Sequence, residues 1–96
     1  MSIGVVVPSY KVTDHILDVI KSIGPEVEKI YVIDDACPDG SGKLVQKSSR
    51  DKRVRVLFHE ENQGVGGAVV TGYKAALKDK VDVIVKVDGD GQMDPA

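Results

Sequence analysis

An α/β domain on a four-stranded parallel sheet, with helices on both faces, is the fold class this sequence predicts, on three observations. Short β-branched apolar runs alternate with segments of helical periodicity, in the order β-α-β-α-β-α-β. The crossovers are about 20 residues long, which suits parallel strands and not hairpins. Three of the four apolar runs close on Pro, Gly or Asp turn residues. Right-handed crossovers, with a reversal of direction after the third strand, give the strand order 3-2-1-4. The first two helices then lie on one face and the third on the other.

The elements follow in order. Ser2 to Pro8 is β-branched and too short for a helix, so it reads as a buried strand. Thr13 or Asp14 is positioned to cap a helix whose Ile16, Leu17, Ile20 and Ile23 recur at helical spacing, and Gly24-Pro25 stops it. Lys29 to Ile33 is the second strand, closed by Asp34-Asp35. Cys37 to Ser41 is turn chemistry, with Ser41 or Asp39 as a cap for a weaker helix from Lys43 to Arg50. Arg53 to Phe58 begins as an alternating, half-exposed strand. Glu61 to Gly64 is a loop. Val65, Ala68, Val69, Gly72, Tyr73, Ala76 and Leu77 then keep helical spacing, with side chains small enough for close packing on a sheet. Val81 to Val87 is the fourth strand, followed by Asp88-Gly-Asp-Gly-Gln92.

Composition narrows the function. The 96 residues suffice for one domain, spanning 1–96. Thirteen Lys and Arg against 15 Asp and Glu leave a formal charge of −2, which supplies no basic field for nucleic acid. Aromatics at 4% are too few for a base-stacking platform. No apolar run approaches the ~20 residues of a membrane span. One cysteine, Cys37, excludes an internal disulfide and a multi-Cys zinc site, and a free thiol suits a reducing compartment. The first residues lack the basic and apolar regions of a signal peptide, so a cytoplasmic setting is expected. Lys43, Lys47, Arg50, Lys52, Arg53 and Arg55 gather in one stretch, which reads as a solvated face.

In an open parallel sheet, ligands bind beyond the carboxyl ends of the strands. Those ends here are Pro8-Ser9-Tyr10, Asp34-Asp35, His59 to Gly64, and Asp88 to Gln92, all polar, acidic or Gly-rich. Asp88 and Asp90 are spaced to converge on one hard cation, Mg²⁺ or Mn²⁺, with Gln92 repeating the spacing and Gly89 and Gly91 leaving room for backbone and ligand. The alternative is a solvated acidic turn. Asp34-Asp35 can accept hydrogen bonds from a base or ribose, or serve as turn and capping residues. Tyr10 can flank a base. The Gly64 to Gly67 run opens a helix whose amides can face an anion, or it packs closely on the sheet. His15 and His59 share no ligand spacing, and His59 is expected to be incidental. Cys37 is expected to be inert, and Lys86 to snorkel from an edge.

Taken in order, Val5 to Tyr10, Val32 to Asp35, Asp39 to Ser41, Asn62-x-Gly64 and Asp88 to Gln92 resemble the nucleotide-sugar-binding half of family 2 GT-A glycosyltransferases. Asn62 to Tyr73 looks most like the branch that transfers sugars to polyprenyl or dolichyl phosphate. The resemblance covers essentially the whole chain and implies a Rossmann-like GT-A sheet. It implies that Pro8, Ser9 and Tyr10 line the nucleotide pocket and that Asp35, with Asp34 beside it, contacts base or ribose. Asn62 and Gly64 would sit against the nucleoside. Asp88, Gly89 and Asp90 would meet the diphosphate, with Asp88, Asp90 and Gln92 on Mg²⁺ or Mn²⁺. The implied reaction transfers a sugar, with inversion, from a UDP- or GDP-sugar to an acceptor such as a polyprenyl phosphate, at the inner face of the membrane in the full-length enzyme.

The chain ends at Ala96, whereas the family's acceptor half and usual base lie further along. It is therefore expected to be a truncated donor-binding part, inactive alone, with no catalytic base among its own residues. Other readings are a non-enzymatic nucleotide-binding module or inert fragment and, less favoured, a haloacid-dehalogenase-type phosphatase, whose D-x-D-G loop Asp88 to Gly91 resembles but whose loop normally lies near the start of its domain. An EF-hand loop fails because Met93 stands where a Gly is needed and no Glu closes it. The fourth strand, an apolar edge in the order 3-2-1-4, is expected to drive self-association.

Overall fold

The computed structural model describes residues 1–89; Asp90 and Gln92 of the predicted metal motif lie outside the described residues. The elements are β1 (Ile3–Ser9), α1 (Ile16–Ser22), β2 (Lys29–Asp34), α2 (Ser41–Ser48), β3 (Val54–Phe58), α3 (Gly64–Lys78) and β4 (Val83–Lys86). All strand pairs are parallel and the order is β3-β2-β1-β4, as expected.

Alternation along the strands sorts the core into two layers. Val5 and Val7 of β1 and Ile30 and Val32 of β2 point to one face, where Ile16, Val19, Ile20 and Val45 of α1 and α2 cover them. Val6, Tyr31 and Ile33 point to the other, where Ala68 and Ala76 of α3 pack. Every residue from Ile30 to Ile33 is at most 1% exposed, as a central strand covered on both faces requires. The small residues of α3 sit four apart, and at Gly72 the helix backbone approaches the Val6 side chain directly.

Three local expectations change. Neither Thr13 nor Asp14 caps α1, whose N-cap is His15 without a side-chain bond. Neither Asp39 nor Ser41 caps α2; Gly40, at φ +73°, takes the N-cap position. The amide of Gly42 instead donates to Asp34 Oδ2 at 2.8 Å, so a strand-end carboxylate satisfies the helix start from across the turn. Gly42 has to be glycine, because a Cβ there would stand 2.7 Å from the Asp34 carboxylate. The basic stretch is also not uniformly solvated. The Arg53 guanidinium is bound to Asp51 and donates to the carbonyls of Ile23, Gly24 and Val27, tying the end of α1 to the start of β3.

The register sets the functional edge. Ser9, Asp34 and Phe58 stand side by side across β1, β2 and β3. The ladder continues one step, with Asp35 N donating to Ser9 O and His59 N to Asp34 O. Tyr10, Asp35 and His59 therefore leave the sheet together. At the other end, the Asp82 carboxylate accepts from the Ser2 amide and hydroxyl while Ser2 Oγ accepts from Asp82 N, which fixes β4 beside β1.

Candidate functional site

A cleft of about 230 Å³ opens at the carboxyl edge of the sheet, where β1 stands between β2 and β4. Pro8, Ser9, Tyr10, Lys11 and Val12 form its floor and one wall; Asp35 comes from just past β2, Val65 and Ala68 from the start of α3, and Asp88 and Gly89 from just past β4. This is the switch point of the strand order, where β1 sends its chain to one side and β4 arrives on the other. Gly89 fits closely under the cleft: a Cβ there would lie 3.0 Å from Pro8 O.

The wall from Tyr10 to Val12 is held from behind. Lys11 adopts φ +55°, a left-handed conformation uncommon for lysine. Its amide donates to Cys37 Sγ at 3.1 Å, the Val12 amide donates to Ser41 Oγ, and Cys37 Sγ and Ser41 Oγ are themselves 3.1 Å apart. Burial pushes the Cys37 thiol up, but bonds from the Ser41 hydroxyl and from the Ser41, Lys11 and Asp39 amides outweigh it and hold the thiol below its ordinary value. Cys37, expected to be inert, is thus a structural tie. The Lys11 ammonium lies 5.5 Å from the Tyr10 ring centre, on the cleft's rim.

The two adjacent acids have separate fates. Asp34 is 4% exposed and spends both oxygens on backbone, Oδ1 on Cys37 N and Oδ2 on Gly42 N, and it does not line the cleft. Asp35 does line it. Its Oδ1 meets His59 Nδ1 at 2.8 Å and accepts from Gln63 N at 2.8 Å, and its carbonyl accepts from Asn62 Nδ2. Burial raises the Asp35 carboxyl, but the bonds from His59, Gln63 and Gly64 prevail and leave it below the usual carboxylate range. His59 continues to Thr71 Oγ1 on α3, 2.7 Å from Nε2. The expectation that His59 is incidental is therefore corrected.

Pro8, Ser9, Tyr10, Asp35, Asp88 and Gly89 of the predicted set come together at the cleft. Asn62 and Gly64 do not line it; they shape the loop behind Asp35, with Gly64 N donating to Asn62 Oδ1. Asp88 is half exposed at the mouth and pairs with Lys86 at 3.2 Å. Among the described residues no group of three or more His, Cys, Asp or Glu is gathered for a metal. Lys11, Val12, Val65 and Ala68 were not anticipated from the sequence. Val65 and Ala68 carry a signal there, being the first apolar pair of a helix that begins at the functional edge.

The pattern of "Glycosyl transferase family 2" matches residues 4–96. The chain belongs to this family. It is 31% identical, over 99% of its length, to an undecaprenyl-phosphate mannosyltransferase of Micrococcus luteus, and 28% identical, over 97%, to a UDP-N-acetylglucosamine–dolichyl-phosphate N-acetylglucosaminyltransferase of Methanococcus voltae. It spans only 40% and 43% of those two proteins. In fold it resembles S. aureus TarS in complex with UDP (TM-score 0.75, 24% identity, 94% of this chain and 28% of that one). It likewise resembles the mannosyltransferase PcManGT of Pyrobaculum calidifontis in complex with GDP-Man and Mn²⁺ (TM-score 0.71, 23% identity, 98% and 28%). Family 2 membership sets aside the dehalogenase alternative. No helix among the described residues of this family 2 chain is long and apolar enough to cross a membrane.

Proposed function

We propose that the chain is the donor-binding part of an inverting, metal-dependent glycosyltransferase that moves a sugar from a UDP- or GDP-sugar to a polyprenyl phosphate. The observation that carries this is the cleft at the switch point, which combines an apolar floor, an aromatic rim, a buried carboxylate and a carboxylate at its mouth. In this reading Tyr10 covers the base. Asp35 accepts a hydrogen bond from base or ribose through Oδ2, the oxygen free of the bonds from His59 and Gln63. Lys11, the only cation among the described lining residues, faces the diphosphate.

Asp88 fits a hard cation in chemistry, since it offers carboxylate oxygen at the mouth, and Mg²⁺ or Mn²⁺ commonly takes one or two carboxylates with water and phosphate completing the shell. Asp88 would hold it with Asp90 and Gln92, and Lys86 would have to release Asp88 Oδ1. When bound, such a cation neutralises charge on a diphosphate leaving group. Asp34 has no part in ligand binding; it fixes the turn from which Asp35 projects. In this reading the acceptor site and any base lie outside these 96 residues, which fits a chain that spans 40% and 43% of two of its relatives.

The test is calorimetric titration of the chain with UDP and GDP, with Mn²⁺ or Mg²⁺ and with chelator. The expected result is binding of one nucleotide that weakens at least tenfold in chelator and in Asp88→Ala. Equal affinity in all three conditions refutes the metal role, and no binding of either nucleotide refutes the reading.

A further inference from the structure

His59 and Thr71 lie outside the cleft lining, yet both act on the one buried carboxylate inside it. We propose that they are positioning residues, which hold Asp35 and the loop of residues 59–64 preformed for the nucleoside of the donor; this rests on reading the cleft as a nucleotide site.

The geometry fixes which partner each imidazole nitrogen faces. Ionised Asp35 can only accept, so Nδ1 carries the proton. In the neutral ring Nε2 is then an acceptor, and the Thr71 hydroxyl is the donor set against it at 2.7 Å. Thr71 stands about two turns into α3, so the ring bridges the helix to the end of β2. The side chains of His59 and Asp35 are 7% and 5% exposed, and water competes little for these bonds. The same Asp35 Oδ1 accepts from Gln63 N, and the Asp35 carbonyl accepts from Asn62, whose Oδ1 accepts from Gly64 N. Asp35 therefore organises the loop through both its carboxylate and its backbone carbonyl, and the imidazole, with the Gln63 amide, sets which way the carboxylate faces. With Oδ1 fixed by two N–H donors, Oδ2 is presented to a ligand at no further ordering cost, which is the physical content of preorganisation.

The test uses Thr71→Val, which keeps shape and removes the hydroxyl, and Thr71→Ser, which restores it. Alongside them stand His59→Asn, which keeps a donor near the Nδ1 position, and His59→Leu, which keeps none. Three quantities are read: amide exchange of Gln63, the imidazole ¹⁵N tautomer signature, and the Kd for UDP or GDP in Mn²⁺. In the wild-type chain the ring shows a protonated Nδ1. In Thr71→Val, Gln63 exchanges faster and the Kd rises about tenfold, the scale of one hydrogen bond to a charged group. Thr71→Ser restores both, and His59→Asn falls between wild type and His59→Leu. Wild-type exchange and affinity in Thr71→Val and His59→Leu overturn the proposal, as does a ring protonated on Nε2 alone. If wild type binds neither nucleotide, the functional reading fails separately. The tautomer and Gln63 exchange of the free chain still decide the positioning role, and unchanged exchange in Thr71→Val overturns it.

Discussion

Replacing Gly72 by alanine puts a methyl group where α3 approaches the sheet. That methyl would overlap Val6 Cγ1 and stand 2.9 Å from Cγ2 and 3.1 Å from Cβ. Both Val6 methyls and its Cβ are involved, so turning the valine side chain gives no relief. Val6 is fully buried in β1, which is paired to Tyr31 on one side and Lys86 on the other, so the strand cannot retreat. The helix must move instead, and it carries Val65, Ala68 and Thr71 with it. Overpacking of this kind costs about 3 kcal/mol at the upper end of its usual range. Alanine returns about 1 kcal/mol through its better helix propensity. The expected net loss is about 2 kcal/mol, or roughly a 10 °C fall in melting temperature for a domain of this size. Gly66→Ala in the same helix is the control, since a Cβ there meets nothing within 4 Å. It should leave the melting temperature level or slightly raised. Thermal unfolding by circular dichroism measures both. A Gly72→Ala chain as stable as wild type would refute the seating of α3 on Val6.

Asp34→Ala leaves the amides of Cys37 and Gly42 without their acceptor, and a urea titration should show a loss of about 2 kcal/mol or more. Burial, and then the bond to Asp79, push the Tyr31 phenol above its ordinary 10.0. The folded state therefore keeps that proton more tightly than the unfolded one. This contribution is complete below pH about 10 and is lost as pH rises towards the folded value. The urea midpoint of wild type should fall above pH about 10 more steeply than that of Tyr31→Phe. Asp35, held below its ordinary 3.8, contributes stability above that value that fades as pH falls through the folded one. Asp35→Asn should flatten the acid limb of the stability profile. β4 has no partner on its outer side among the described residues, and Val83 and Val85 are 37% and 44% exposed. Sedimentation should show association at tens of micromolar, which Val85→Lys suppresses; a monomer throughout would count against it.

The sheet was legible because β-branched runs, helical spacing and crossover length agree on one topology, and right-handed crossovers then assign each helix a face. Helix caps were not, since the group that serves α2 is Asp34, eight residues before Gly42 and in another element. Arg53 read as part of a charge run because its carbonyl partners lie 26 to 30 residues earlier. His59 was misjudged for the same reason. Its partners are 24 residues before and 12 after it, and only parallel pairing of β2 with β3 brings Asp35 within reach. At the site, Pro8 to Tyr10, Asp35, Asp88 and Gly89 were found because each lies at or just past the carboxyl end of a strand. Asp34 and Asp35 could not be told apart from their type. Which one faces the cleft depends on the left-handed turn at Ala36, φ +57°, and on the start of α2.

The most direct test of the central claim is where a nucleotide lands. Amide chemical shifts of the ¹⁵N-labelled chain are followed during titration with UDP and with GDP in Mg²⁺, the non-paramagnetic choice. The account predicts saturable shifts concentrated on Ser9, Tyr10, Lys11, Asp35, Val65, Ala68 and Gly89, and their loss in Asp35→Ala. The second cavity, between α1 and α2 at Leu17, Lys21, Ser48 and Arg50, should remain silent. Shifts centred on that second cavity, or none at the carboxyl edge of the sheet, would contradict it.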